Sequence, residues 1–157
     1  MIISEDKEMA ETLNGFFTSV FTRENTENIP VSPNLNISGT YLSNLQFSKS
    51  EVEEKIKLLK TDSSPGPDKI SARLLQLFAS RLAGPLTSIF NSSVTSGEVP
   101  TDWRLANITP IFKKGAKGDP SNYRPVSLTS VCCKIIESLI KDKVVDHLII
   151  NNLINAS

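Results

Sequence analysis

Residues 105–128 have the sequence LANITPIFKKGAKGDPSNYRPVSL, and this stretch determines the fold class. Alternating and β-branched residues from Leu105 to Phe112 predict a strand that Pro110 interrupts. Lys113 to Tyr123 contains two glycines and a proline, which indicates an exposed turn. Arg124 to Leu128 is short and predicts the returning strand. The stretch therefore predicts a β-hairpin with a basic tip, in a chain whose other patterns are helical.

Two helices and a long connection are predicted in the first part of the chain. Apolar residues from Met9 to Phe21 recur at three- and four-residue steps, and Ser4 precedes them as an N-cap. Residues 22–46 are rich in Asn, Ser, Thr and Pro, and we interpret them as a mobile linker. A capping box at 48–51 predicts a second helix that ends near Lys60.

Three more helices are predicted from the same periodicity. Leucines between 74 and 82 indicate the first of these. Gly84-Pro85 is expected to break the pattern and to start a short second helix, which ends at Gly97. The final helix begins at about Ser130 and continues to Leu148. The predicted fold class is therefore α+β, predominantly α-helical with a small β-hairpin.

Charge is balanced over the whole chain but not along it. Lys plus Arg and Asp plus Glu number 17 each, so no global field draws the chain to nucleic acid or to an anionic membrane. Residues 1–60 carry nine acidic and six basic side chains, whereas 104–124 carry five basic ones against Asp119 alone. Phosphate contacts are therefore expected in 104–124.

Several residue types are interpreted as structural. Cys132 and Cys133 are adjacent, so they supply neither a disulfide framework nor the spaced ligands of a zinc site, and we expect them to pack as small apolar residues. His147 has no second histidine to share a metal with. Trp103, the single tryptophan, is interpreted as a core anchor rather than a base-stacking residue.

The N-terminus has neither a basic region nor an apolar run long enough for a signal peptide. No stretch of the sequence approaches the roughly 20 apolar residues of a membrane span. An intracellular location, cytoplasmic or nuclear, without membrane contact is the expectation that follows.

A series of motifs resembles the region before the active site in reverse transcriptases of non-LTR retrotransposons, the LINE-type and jockey-like elements. The resemblance covers about 63–154 closely and the two preceding helices more loosely. The motifs, in chain order, are Ser64-Pro65-Gly66-Pro67-Asp68-Lys69-Ile70, Ile89-Phe90-Asn91, Ser96-Gly97, Val99-Pro100-x-x-Trp103, Pro110-Ile111-Phe112-Lys113-Lys114-Gly115 and Asp119-Pro120-Ser121-Asn122-Tyr123-Arg124-Pro125-Val126-Ser127-Leu128.

The resemblance implies that the hairpin belongs to the fingers and palm region of a right-hand polymerase, which holds the template and the incoming nucleotide. Lys113 or Lys114, together with Arg124, match positions that contact the triphosphate. Lys69 and Lys117 are implied as contacts to the nucleic-acid backbone. Arg donates paired hydrogen bonds to phosphate oxygens, and Lys adds a mobile positive charge, so these residue types suit the role.

The resemblance also implies a domain organisation. Residues 1–62 form an N-terminal helical extension, and 63–157 form the start of the reverse transcriptase domain, cut before the catalytic palm motifs. Polymerases hold two metal ions with carboxylates, and the family's Tyr/Phe-x-Asp-Asp turn does not occur in this sequence. We therefore assign no catalytic or metal-binding residue, expect the fragment to be inactive alone, and expect Mg²⁺ to serve the full-length enzyme.

The partners implied for the intact enzyme are an RNA template, a DNA primer, a deoxynucleoside triphosphate, and the missing palm and thumb. Two alternatives stay open from the sequence. One is a non-catalytic module that binds nucleic acid, and the other is a relic of a decayed element. Purely structural interpretations also stay open. A cluster of lysines is often only a solvated turn, and Pro-Gly-Pro is often only a connection between helices.

Overall fold

The computed structural model describes residues 5–22 and 41–154. Over these residues the chain is mostly helical with one two-stranded hairpin, so the predicted α+β class is confirmed at this level. The elements are α1 (Asp6–Ser19), α2 (Lys49–Lys57), α3 (Ala72–Leu77), α4 (Ala79–Ser96), β1 (Ala106–Phe112), β2 (Tyr123–Thr129) and α5 (Val131–Ile150). No helix in this part of the chain is both long enough and apolar enough to cross a bilayer.

The chain divides into two compact units. The hairpin unit comprises residues 1–37 and 108–127, and its described part contains α1 and the outer part of the hairpin. The helical unit comprises 38–107 and 128–157, and it contains α2 to α5 and the base of the hairpin. This division is one of compactness. The 1–62 and 63–157 organisation concerns the parent polymerase and stays a prediction.

The core of the helical unit lies where α2 packs against α4 and α5. Each of these helices presents its apolar stripe to the centre, and burial of one such side chain contributes about 1.5–3 kcal/mol. The buried side chains include Val52 and Ile56 from α2, Leu86 and Phe90 from α4, and Ile135 and Leu139 from α5. The helical periodicity of the sequence is thus explained by one shared core.

The residue that follows the predicted linker is fixed to this core. Phe47 is buried, its N–H donates to Oδ1 of Asn91 over 2.8 Å, and Nδ2 of Asn91 donates back to its carbonyl over 2.9 Å. The remainder of the linker lies largely outside the described residues, as does Ser4, the predicted cap of the first helix. The N-cap of α1 is Glu5, without a side-chain capping bond.

The break between the third and fourth helices is not where the sequence predicted it. It falls at Phe78, and α4 continues through Gly84-Pro85 to the left-handed Gly97, so the expected corner at Gly84-Pro85 was wrong. Part of the clash that a proline causes in a helix is with the Cβ of the residue before it, and Gly84 has no Cβ. Burial of Ala83 and Leu86 on either side holds the helix together.

Pro110 does not interrupt β1, which also corrects the prediction. The Lys113 N–H donates to the Asn122 carbonyl over 2.8 Å, and this register continues to place Pro110 opposite Pro125 at a non-hydrogen-bonded pair. Nitrogens at such a pair point away from the partner strand. Among the described residues the sheet has only these two strands, so neither proline removes a ladder hydrogen bond there.

The interpretations of Trp103 and of the two cysteines as packed residues are confirmed. Trp103 is half-buried and its ring meets that of Phe90 edge-on at 5.6 Å, so it packs on the core. Cys132 and Cys133 are buried, and burial is the main cause that raises the pKa of each thiol to about 11. Both therefore remain protonated at neutral pH and pack as apolar residues.

The loop that contains Pro65 and Pro67 packs against the start of α5. Ser130 is fully buried, donates from Oγ to Oδ2 of Asp68 over 2.6 Å, and accepts the Cys132 N–H. Gly66 lies so close that a Cβ there would be 2.5 Å from the Ser130 nitrogen. Asp68 also accepts the Ile70 N–H over 3.1 Å. The loop is therefore a packed part of the helical unit.

Two ion pairs join α2 to α5. Glu51 contacts Lys143 and Lys55 contacts Asp142, each over 2.5 Å. Glu51 also closes the predicted capping box with Ser48. The hydrogen bond from Lys143, followed by those from Ser48, lowers the pKa of Glu51 from 4.5 to about 2.

Gly66→Ala is expected to destabilise the chain by about 1–3 kcal/mol, because the added methyl group must displace backbone at Ser130. Ser64→Ala changes an exposed position of the same loop and serves as the control, with an expected effect within about 0.5 kcal/mol. Urea unfolding followed by circular dichroism measures both. Equal midpoints for Gly66→Ala and wild type would contradict the tight seat.

Acid is expected to remove the contribution of Glu51. Its folded pKa is depressed, so the stabilisation is present above the unfolded value of 4.5 and is lost as pH falls towards about 2. The side chain is 38% exposed, and solvent screening reduces the effect to about 1 kcal/mol. Glu51→Gln, which can still cap, should be less stable than wild type at pH 7, and the difference should disappear as pH falls through about 2. Glu54→Gln on the exposed side of α2 is the control, and a constant gap across this range would contradict the assignment.

Candidate nucleic-acid interface on the hairpin

The basic tip of the hairpin is held by a set of internal hydrogen bonds. Nδ2 of Asn122 donates to the Ala116 carbonyl over 3.0 Å, and the Tyr123 hydroxyl donates to the Lys117 carbonyl over 2.9 Å. The Asp119 N–H also donates to the Ala116 carbonyl. Three segments of the turn are thus tied to one another, which fixes the backbone from which the basic side chains extend.

Gly115 and Asp119 are the positions that the turn requires. Gly115 has φ +93°, and a Cβ there would lie 2.7 Å from Nδ2 of Asn122. Oδ1 of Asp119 accepts the Ser121 N–H over 2.9 Å, and hydrogen bonds from the side chain and backbone of Ser121 lower the pKa of Asp119. The only carboxylate of 104–124 is therefore ionised at neutral pH and engaged within the turn.

The strand register places the two predicted phosphate contacts on one face. Lys113 pairs with Asn122, so Arg124 is its diagonal neighbour at a backbone separation of about 7–8 Å. Side chains alternate along a strand, so Phe112 and Tyr123 occupy the opposite face, where their rings lie 5.3 Å apart. The hairpin therefore has a cationic face and an aromatic face.

The basic side chains of the hairpin are exposed and available to a ligand. Lys113, Lys114, Lys117 and Arg124 are all exposed, and across 5–22 and 41–154 none of them lies within 4.0 Å of a carboxylate oxygen. A planar guanidinium and an ammonium at this spacing can contact neighbouring phosphate oxygens. The arrangement can bind and neutralise an anion.

Lys69 is located differently from the other predicted contacts. It is exposed and belongs to the helical unit, whereas the four basic residues of the tip belong to the hairpin unit. Its φ of +57° is left-handed, and its N–H donates to the Gly66 carbonyl. The left-handed conformation of Lys69 is thus explained by its backbone hydrogen bond within the packed loop.

The described residues do not form a metal site. Among the residues that the structure describes, no group of three or more His, Cys, Asp or Glu side chains could hold a metal ion. Asp68 is engaged with Ser130 and Asp142 with Lys55. The Mg²⁺ expected for a full-length enzyme therefore does not fit the described part of this chain.

Asn122 was missed as an organising residue by the reasoning from sequence. Its bond to Ala116 and its contact with Gly115 depend on how the turn folds back, which spacing does not reveal. Asp119 could have been found, since an Asp side chain in a turn often accepts the backbone N–H two residues on, which makes an Asx turn.

The sequence is similar to a group of retrotransposon proteins. It is 34% identical over 97 residues to the probable RNA-directed DNA polymerase from transposon BS of Drosophila melanogaster, covering 61% of this chain and 11% of that protein. It is 35% identical over 94 residues to the RNA-directed DNA polymerase from mobile element jockey of the same fly, covering 59% and 10%. It is 32% identical over 100 residues to the probable RNA-directed DNA polymerase from transposon X-element, covering 63% and 11%.

The predicted resemblance to polymerases of jockey-like and other non-LTR retrotransposons is therefore confirmed. No protein-family model matches the chain. The chain spans about a tenth of the length of the curated relatives it matches.

Proposed function

We propose that the chain is a fingers-side segment of an RNA-directed DNA polymerase from a retrotransposon, whose hairpin contacts the template and the triphosphate of the incoming nucleotide. The observation that carries this proposal is the cationic face, where Lys113 and Arg124 are diagonal neighbours across the hairpin and have no acidic partner in the described residues. The similarity to RNA-directed DNA polymerases supports a nucleic acid or a nucleotide as the anion that such a face would bind.

The two residue types have complementary roles in this proposal. Arg124 projects from a paired strand, so its guanidinium is directed at one place and can donate two parallel hydrogen bonds to phosphate oxygens. Lys113 and Lys114 lie at the start of the turn and add point charges on flexible stems. Lys117 and Lys69 extend the contacts along the template backbone.

The chain positions and neutralises the nucleotide, and it does not supply the metal chemistry. The proposal assigns the Mg²⁺-binding carboxylates, the palm and the thumb to other parts of the parent enzyme, so the chain alone is inactive. The proposed substrates of the parent enzyme are an RNA template, a DNA primer and a deoxynucleoside triphosphate. Because these are found inside the cell, the proposed location is the cytoplasm or nucleus.

Binding of an RNA template annealed to a DNA primer, measured across a salt series, tests the proposal. Removal of three phosphate contacts in a variant with Lys113, Lys114 and Arg124 changed to Ala should reduce the slope of log K against log salt by about 2–3. A matched variant with Lys49, Lys60 and Arg81 changed to Ala removes the same charge from exposed positions of the helical unit. Its slope should stay near that of wild type.

Two results would contradict the proposal. Equal slopes in both triple variants would mean that binding depends on net charge and not on the hairpin. Absence of binding by the folded wild-type chain at low salt would leave the relic of a decayed element as the better interpretation. Circular dichroism of each variant separates a loss of binding from a loss of folding.

A further inference from the structure

The hairpin unit contains a cleft between α1 and the aromatic face of the hairpin. Its volume is about 620 Å³, and most of its lining is apolar. The lining includes Met9 and Leu13 from α1 and Pro110 and Tyr123 from the strands. It also includes two charged residues, Asp6 and Lys117. The cleft is separate from the cationic face, which lies on the other side of the same two strands.

The hairpin presents Tyr123 to this cleft in a fixed position. The Tyr123 hydroxyl donates to the Lys117 carbonyl, and its ring packs against that of Phe112. A ring held in this way has a flat face to offer without losing much side-chain entropy when a ligand binds. Pro110 and Met9 supply further apolar surface around it. A flat, mainly apolar group therefore fits the lining best.

Charge in the same unit indicates what carries this group. The exposed cations of the tip attract a polyanion to the hairpin. An apolar peptide carries no such charge and would not be attracted. Asp6 disfavours a phosphate within the cleft, whereas Lys117 at the same lining favours one beside it. The part that enters is then uncharged, and the part that stays outside is a phosphate.

We infer that the cleft between α1 and the hairpin accepts one unpaired nucleobase of a single-stranded nucleic acid, with the adjoining phosphate at Lys117. This inference rests on the proposed function and deepens it, because it states that the strand is held by its base as well as by its phosphates. A paired base is stacked within its helix and cannot enter, so the site selects single strands over duplexes.

Equilibrium binding of two single-stranded DNA oligonucleotides to the full chain tests this inference. The strands have the same length and number of phosphates, but one carries bases and the other abasic sites. Wild type should bind the base-bearing strand about tenfold more tightly, the scale expected for stacking one base. Both strands should show the same salt dependence, because their phosphate contacts are the same.

Variants locate the preference in the cleft. Ala10→Trp fills the lining from α1 and should bring the two strands to equal affinity, with the salt slope unchanged. Asn14→Trp places the same ring at an exposed position of α1 outside the lining and should keep the preference. Thr12→Trp blocks the cleft from a second lining position, which keeps the test decisive if Ala10→Trp loses helicity.

The outcomes separate this inference from the proposed function. Equal binding of both strands by wild type, with a normal salt slope, would overturn the nucleobase site and leave the phosphate contacts in place. A preference that survives both cleft-filling variants would also overturn it, since the base would then bind elsewhere. Loss of the salt slope in wild type would contradict the proposed function itself.

Discussion

The close approach of Gly66 to Ser130 is the constraint on which the helical unit depends. A Cβ at residue 66 would overlap the backbone at Ser130, so the loop can pack this closely only because residue 66 is glycine. Asp68 then accepts the buried Ser130 hydroxyl, which would otherwise be a costly unpaired donor. This seat fixes the residue at which the chain turns from β2 into α5. It therefore marks where the hairpin ends and where α5 begins, the helix that packs on α2.

The hairpin shows how a two-residue period serves two chemistries at once. Lys113 and Arg124 occupy one face, and Phe112 and Tyr123 the other, because strand side chains alternate. A one-residue slip in register would exchange the faces. The packed turn prevents such a slip, since Asn122 holds Ala116 and leaves no space for a Cβ at Gly115. Contact with phosphates and contact with a base can thus coexist on two strands.

The sequence predicted the elements whose signals are local. The capping box at Ser48, the start of the final helix near Ser130 and the alternating strands needed only neighbouring residues, and all were found. The break at Phe78 was missed because Gly84-Pro85 is a strong signal for the end of a helix. In the structure the helix continues through it, held by the buried side chains of Ala83 and Leu86. The seat of Gly66 on Ser130 and the ion pairs of α2 with α5 were beyond reach, because they join residues far apart in the chain. For the candidate site, the residue types came from the sequence, but their arrangement on two faces required the register.

Amide chemical shifts in a labelled sample, recorded while single-stranded RNA is added, test whether the hairpin is the nucleic-acid interface. The largest shift changes are expected within residues 113–124 at low salt and should disappear as salt rises, while amides of α2 and α4 stay unchanged. Changes centred on the helical unit, or scattered over lysines throughout the chain, would contradict the claim that the hairpin is the nucleic-acid interface.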